Sequence, residues 1–154
     1  MGYIDSIARA GTQVALTWFM VNRVPLHRIL LAEDDPEFRR FLAEALRRDG
    51  YAVTETETGL ALLDLLDELR AVPQRPAFDL VLSDQRMPGL LGLEVLSASG
   101  DHHDLPPFVL MSAFGGEALH AEARSLGAAA VLDKPFELSE LRRTVRELLA
   151  ASGG

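Results

Sequence analysis

Five short runs suited to β-strands recur along the chain, and amphipathic segments of helical spacing separate them. They are Arg28-Ile29-Leu30-Leu31-Ala32, Tyr51-Ala52-Val53-Thr54-Glu55, a run through Leu80-Val81-Leu82-Ser83, Phe108-Val109-Leu110-Met111, and Ala129-Ala130-Val131-Leu132. Runs that are apolar throughout, rather than alternating, fit strands covered on both faces, as in a parallel sheet. Strands that alternate with helices at this spacing predict βαβ units, an α/β architecture, and right-handed crossovers leave few topologies. The third run is apolar through Leu80-Val81-Leu82. It stops at Asp84 and breaks at once into Met87-Pro88-Gly89 and Gly92, so it reads as the central strand delivering a carboxylate to a loop. In such sheets ligands bind beyond the carboxyl ends of the strands.

Five helices are expected, four between the strands and one after the last. Asp35 reads as an N-cap with Pro36 in the first turn, and Phe38, Phe41, Leu42, Ala45 and Leu46 as the inward stripe, ended by Asp49-Gly50. A Leu-rich helix is expected from about Thr58 to Leu69, and a short one from Leu93 to Ser97. Gly115-Gly116 opens a helix to about Leu126 that Gly127 closes. The last helix points Leu138, Leu141, Val145, Leu148 and Leu149 inward, with residues 151–154 as a flexible tail.

At 154 residues the chain is long enough for one core of the common domain size of about 100 to 150 residues. Its net charge of −8 argues against nucleic acid, which rewards a basic face. No run approaches the roughly 18 apolar residues of a membrane span, and no signal peptide is evident, so the expected location is cytoplasmic. The absence of cysteine removes disulfides and thiolate metal sites. His102 and His103 read as solvated loop residues without further ligands at metal spacing.

Residues 1–27 stand apart as an N-terminal extension. Ile4, Ile7, Val14, Trp18 and Phe19 lie on a stripe that predicts an amphipathic helix, docked on the rest of the chain or on a second copy in a homodimer, with Trp18 a packing residue. The start Met1-Gly2-Tyr3-Ile4-Asp5-Ser6 matches a myristoylation pattern too short to carry weight.

The residues just past the strands are Glu33 and Asp34, then Asp84, Ser112 and Lys134. Carboxylates brought together repel unless a cation joins them, and an all-oxygen site with few protein ligands suits Mg²⁺, which recruits phosphate. An amine and a hydroxyl beside them can stabilise a phosphoryl group in transfer, and Asp84 is the candidate nucleophile, forming an acyl phosphate.

This set, Glu33-Asp34, Asp84 with Met87-Pro88-Gly89, Ser112-Ala113 and Lys134-Pro135-Phe136, resembles the receiver domain of two-component response regulators, over residues 28–150. The resemblance implies a flavodoxin-like fold, five parallel strands in the order 2-1-3-4-5 between five helices. It implies Asp84 as phosphoacceptor from a histidine kinase or histidine phosphotransfer protein, with Ser112 and Lys134 contacting the phosphoryl group. Glu33, Asp34, Asp84 and the Arg86 backbone carbonyl would hold Mg²⁺, and the Lys134-Pro135 bond would be cis. The expected function is that of a stand-alone phosphoacceptor that docks a partner or passes the phosphoryl group on.

Two departures from the family stand out. Val131 occupies the place of the usual aromatic switch residue, so a response would run through the Ser112 loop and the fourth helix. The family does not explain the N-terminal extension. Arg86 and Phe114, two residues past Asp84 and Ser112, offer nothing to orient a hydrolytic water, which predicts slow self-dephosphorylation. One rival is an aspartyl-phosphate phosphohydrolase, which commonly has a second acid where Arg86 stands and a cap domain. The other is an unphosphorylated scaffold, which none of the site residues would require.

Overall fold

The computed structural model describes residues 26–72, 77–100 and 104–152. Strands β1 (Arg28–Ala32), β2 (Ala52–Thr56), β3 (Leu80–Asp84), β4 (Phe108–Ser112) and β5 (Ala130–Asp133) alternate with helices α1 (Pro36–Arg48), α2 (Gly59–Ala71), α3 (Gly92–Ala98), α4 (Gly116–Ser125) and α5 (Leu138–Ser152). All pairings are parallel, and the sheet order is β2-β1-β3-β4-β5. The expected N-terminal helix, His102 and His103 lie outside the described residues, as do the last two glycines.

Sequential side chains of a strand leave opposite faces of the sheet, so a doubly covered strand must be apolar at every position. β3 follows this through Leu80, Val81 and Leu82, and stays buried at Ser83 and Asp84, the polar end that enters the site. One face carries Ile29, Leu31, Leu80, Leu82, Val109 and Met111 against Leu42 and Leu46 of α1 and Leu141, Val145 and Leu149 of α5. The other carries Leu30, Val81, Phe108 and Leu110 against Leu62 and Leu66 of α2, Val95 and Leu96 of α3, and Ala123 of α4. Each such side chain contributes about 1.5–3 kcal/mol on burial, and both faces draw on β1, β3 and β4, which fixes those strands in the middle.

The helix ends follow from local chemistry. The Asp35 carboxylate accepts from the Glu37 and Phe38 amides at 3.0 and 3.3 Å, ahead of Pro36, whose missing N–H costs nothing there. Thr58 caps α2 through the Ala61 amide at 3.1 Å. Gly127, at φ 96°, takes the left-handed conformation just past α4 that non-glycine residues resist.

Three expectations require correction. Phe41 is not on the inward face but 53% exposed, because Leu42, Ala43, Ala45 and Leu46 form the buried arc and position 41 falls beside it; its ring stacks on Phe38 at 6.4 Å between centroids. β2 and β5 each sit one residue later than their apolar runs, paired through Thr56 and Asp133. Ala151 and Ser152 continue α5 instead of opening the tail, and the Ser152 hydroxyl donates to the Leu148 carbonyl at 3.0 Å.

Candidate functional site

Parallel strands end together, and the residues past β1, β3, β4 and β5 therefore converge at one edge of the sheet. Glu33 follows β1 directly, and its amide donates to the Thr56 carbonyl at 3.1 Å, which extends the ladder and turns the side chain inward. Asp84 is the last residue of β3, paired with Met111 of β4. Glu33 is 1% and Asp84 6% exposed, whereas Asp34 faces solvent. Carboxylate oxygens of Glu33, Asp34 and Asp84 lie within 4.8 Å of one another.

Lys134, the chain's one lysine, reaches into this cluster from the end of β5. Its ammonium donates to Glu33 Oε2 at 2.9 Å and lies 3.0 Å from Asp84 Oδ1. The Phe38 ring centroid is 4.7 Å from Nζ, a cation–π distance. The Lys134 amide donates to the Ser112 carbonyl at 2.7 Å, and the Lys134-Pro135 bond is cis.

Burial pushes the Glu33 carboxyl up to about 7, against the hydrogen bond from Lys134, while Asp84 adds to the rise. Burial likewise raises Asp84, with Lys134 opposing it. For Lys134 burial works downward, but the bonds to Glu33 and Asp84 outweigh it and the net displacement is upward. Three carboxylates face one ammonium, so the cluster is under-neutralised, and hard oxygen donors in that state fit a divalent cation such as Mg²⁺.

The loop after Asp84 is braced by its own backbone. Gln85 N–H donates to the Met111 carbonyl at 2.8 Å, Gly92 N–H to the Gln85 carbonyl at 2.9 Å, and Leu93 N–H to Gln85 Oε1 at 2.9 Å. A side chain at Gly92 would place its Cβ 2.6 Å from the Asp84 carbonyl oxygen and from Leu110 Cδ1, so glycine here permits α3 to start against the strand end. Ser112 is buried, and its hydroxyl donates to the Phe114 carbonyl at 2.8 Å. The Phe114 side chain is 76% exposed and receives the Arg86 guanidinium, 5.7 Å from the ring centroid.

The structure thus gathers Glu33, Asp34, Asp84 and Lys134, and places Ser112 at the end of the neighbouring strand with its hydroxyl on the Phe114 carbonyl. It brings into contact Arg86 and Phe114, the two positions that offer nothing to orient a hydrolytic water. The Phe38 contact to Lys134 was missed, since Phe38 was assigned to packing; its place one turn into α1, four residues past Asp34, was the available signal.

Residues 29–146 match the model of the response regulator receiver domain. The chain belongs to the response regulator receiver family. The receiver protein CpdR of Brucella abortus is 33% identical over 127 residues, 82% of this chain and the whole of that protein. Sporulation initiation phosphotransferase F of Bacillus subtilis is 31% identical over 79% of this chain and 93% of its own length. The transcriptional activator PfeR of Pseudomonas aeruginosa is 40% identical over 82% of this chain but only 39% of its own length. The non-phosphorylated HemR receiver domain of Leptospira biflexa superposes with a TM-score of 0.65 at 31% identity, covering 80% of this chain and 94% of that one. The receiver domain of a LuxO repressor homologue from Vibrio parahaemolyticus gives 0.74 at 20% identity, covering 84% and 94%.

Receiver domains take phosphoryl groups from histidine kinases or phosphotransfer proteins in two-component signalling, and generally bind Mg²⁺ at an acidic pocket. Among the described residues of this receiver, no helix is long and apolar enough to cross a membrane.

Proposed function

We propose that this receiver accepts a phosphoryl group on Asp84, with Mg²⁺ held by Glu33, Asp34, Asp84 and the Arg86 carbonyl, and signals by altered partner binding or onward relay. The observation that carries the reading is the contact of one buried carboxylate, Asp84, with the single lysine, inside a cluster whose acids outnumber its cations. A bound divalent cation would neutralise phosphoryl oxygens and the carboxylates together.

The chain's own residues supply the rest. Asp84 Oδ attacks the phosphorus of a phosphohistidine, the new O–P bond forms as the P–N bond breaks, and the imidazole leaves and is protonated from solvent. Lys134 stands where it can follow charge from the carboxylate to a phosphoryl oxygen. The Ser112 hydroxyl has one proton to give, so it must leave the Phe114 carbonyl to bond a phosphoryl oxygen. The acyl phosphate is later hydrolysed to phosphate and the free carboxylate.

Incubation with acetyl phosphate and Mg²⁺ should add one phosphoryl group by intact-protein mass spectrometry. The gain should vanish with EDTA and in Asp84→Ala. An equal gain in Asp84→Ala would overturn the assignment.

A further inference from the structure

Lys134 has three attractive partners of two kinds. Glu33 Oε2 at 2.9 Å and Asp84 Oδ1 at 3.0 Å each engage its N–H donors, whereas the Phe38 ring attracts the charge through its quadrupole and takes no donor away from them. Phe38 is itself wedged, 6.0 Å from Phe136 and 6.4 Å from Phe41 between centroids. Phe136 comes two residues after Lys134 on the same loop, so the segment that brings in the ammonium also brings a ring to hold its aromatic neighbour. The Lys134 side chain is 21% exposed, and the ring covers part of a cation that would otherwise be hydrated.

We propose that Phe38 is a positioning residue for phosphoryl transfer. It keeps the Lys134 ammonium at the site by a contact that does not compete for hydrogen bonds, leaving the N–H groups able to pass from the Asp84 carboxylate to a phosphoryl oxygen. The inference rests on Asp84 as acceptor for its kinetic part only; the contact between Phe38 and Lys134 is independent of that reading. A ring merely filling space would be replaceable by leucine. A ring acting through its electrons would be replaceable by tyrosine and not by leucine. A cation–π contact of ordinary strength corresponds to a change of roughly 2- to 5-fold.

Because Lys134 is the one lysine, labelling with [¹³C,¹⁵N]lysine gives a single set of side-chain resonances. In the parent its Hε protons should be displaced upfield by the ring current, an effect kept in Phe38→Tyr and lost in Phe38→Leu. Phosphorylation by acetyl phosphate, followed by intact mass, should be roughly 2- to 5-fold slower in Phe38→Leu, near the parent rate in Phe38→Tyr, and progressively slower as fluorines are added to the ring at position 38. An unmoved lysine signal in Phe38→Leu overturns the proposal, as does a phosphorylation rate that leucine or fluorination leaves unchanged. A parent that is not phosphorylated at all would contradict the acceptor reading instead, and the lysine resonances would still report on Phe38.

Discussion

At Glu33, burial and function pull in opposite directions. A carboxyl raised from 4.5 to about 7 binds a proton in the folded chain that the unfolded chain releases at lower pH. Its contribution to stability is therefore full below about pH 4.5 and is lost as pH rises through about 7. A divalent cation favours the ionised form and reverses the balance. Mg²⁺ should raise the melting temperature more at about pH 8 than at about pH 5, and Glu33→Gln should flatten that difference; an equal Mg²⁺ effect at both pH values would contradict the account. Phe114 is the second informative residue. Stacked by Arg86 and 76% exposed at the lip of the site, it offers no group to orient a water and can shield an acyl phosphate. Phosphate release from the phosphorylated protein should be slow, and Phe114→Glu should accelerate it about tenfold or more; an unaltered rate would remove the shielding argument. Residue identities at the strand ends were legible because apolar runs stop at them. The grip of Phe38 on Lys134 was not, since nearly a hundred positions separate them and an aromatic on a helix reads first as core.

Among the elements, the strands were readable because double burial makes their central positions apolar on both faces, as at Leu80, Val81 and Leu82 of β3. Boundaries slipped where pairing continues past the apolar run: Thr56 and Asp133 are held by the ladder, a tertiary effect that composition does not show. Phe41 was misplaced for a related reason, since helical spacing gives the angle of a stripe but not which flank the sheet covers. The place of Gly92 against the Asp84 carbonyl likewise becomes apparent only once α3 is docked. At β5, Val131 is partly buried in the second core face, and α4 is tied to this strand through His120 Nε2 and Asp133 Oδ1, 2.8 Å apart. The stripe of Ile4, Ile7, Val14, Trp18 and Phe19 lies outside the described residues, and its test is separate. A lone helix of about 18 residues is marginal in water. Deleting residues 1–23 should therefore lower the melting temperature if the helix packs on the receiver, or halve the molar mass by light scattering if it joins two copies. Should both stay unchanged, the stretch is not docked.

For the molecule as a whole, one parallel sheet brings four separated segments to a single edge, where Glu33, Asp34, Asp84 and Lys134 cluster beside the Ser112 end of β4. That convergence follows from chain direction alone, which is why the fold and the cluster of candidate residues were legible in the sequence, while Val131 and Phe114 enter only the expectations about output and lifetime. The central claim is that the pocket exists to carry a phosphoryl group on Asp84. Reduction of the acetyl-phosphate-treated protein with borohydride converts an aspartyl phosphate to homoserine, and tryptic residues 71–86 contain both Asp79 and Asp84. Fragment-ion sequencing of that peptide should place homoserine at position 84 and aspartate at 79, only when Mg²⁺ was present. Homoserine at Asp79 or Asp34, or none anywhere in a fully recovered digest, would contradict the account.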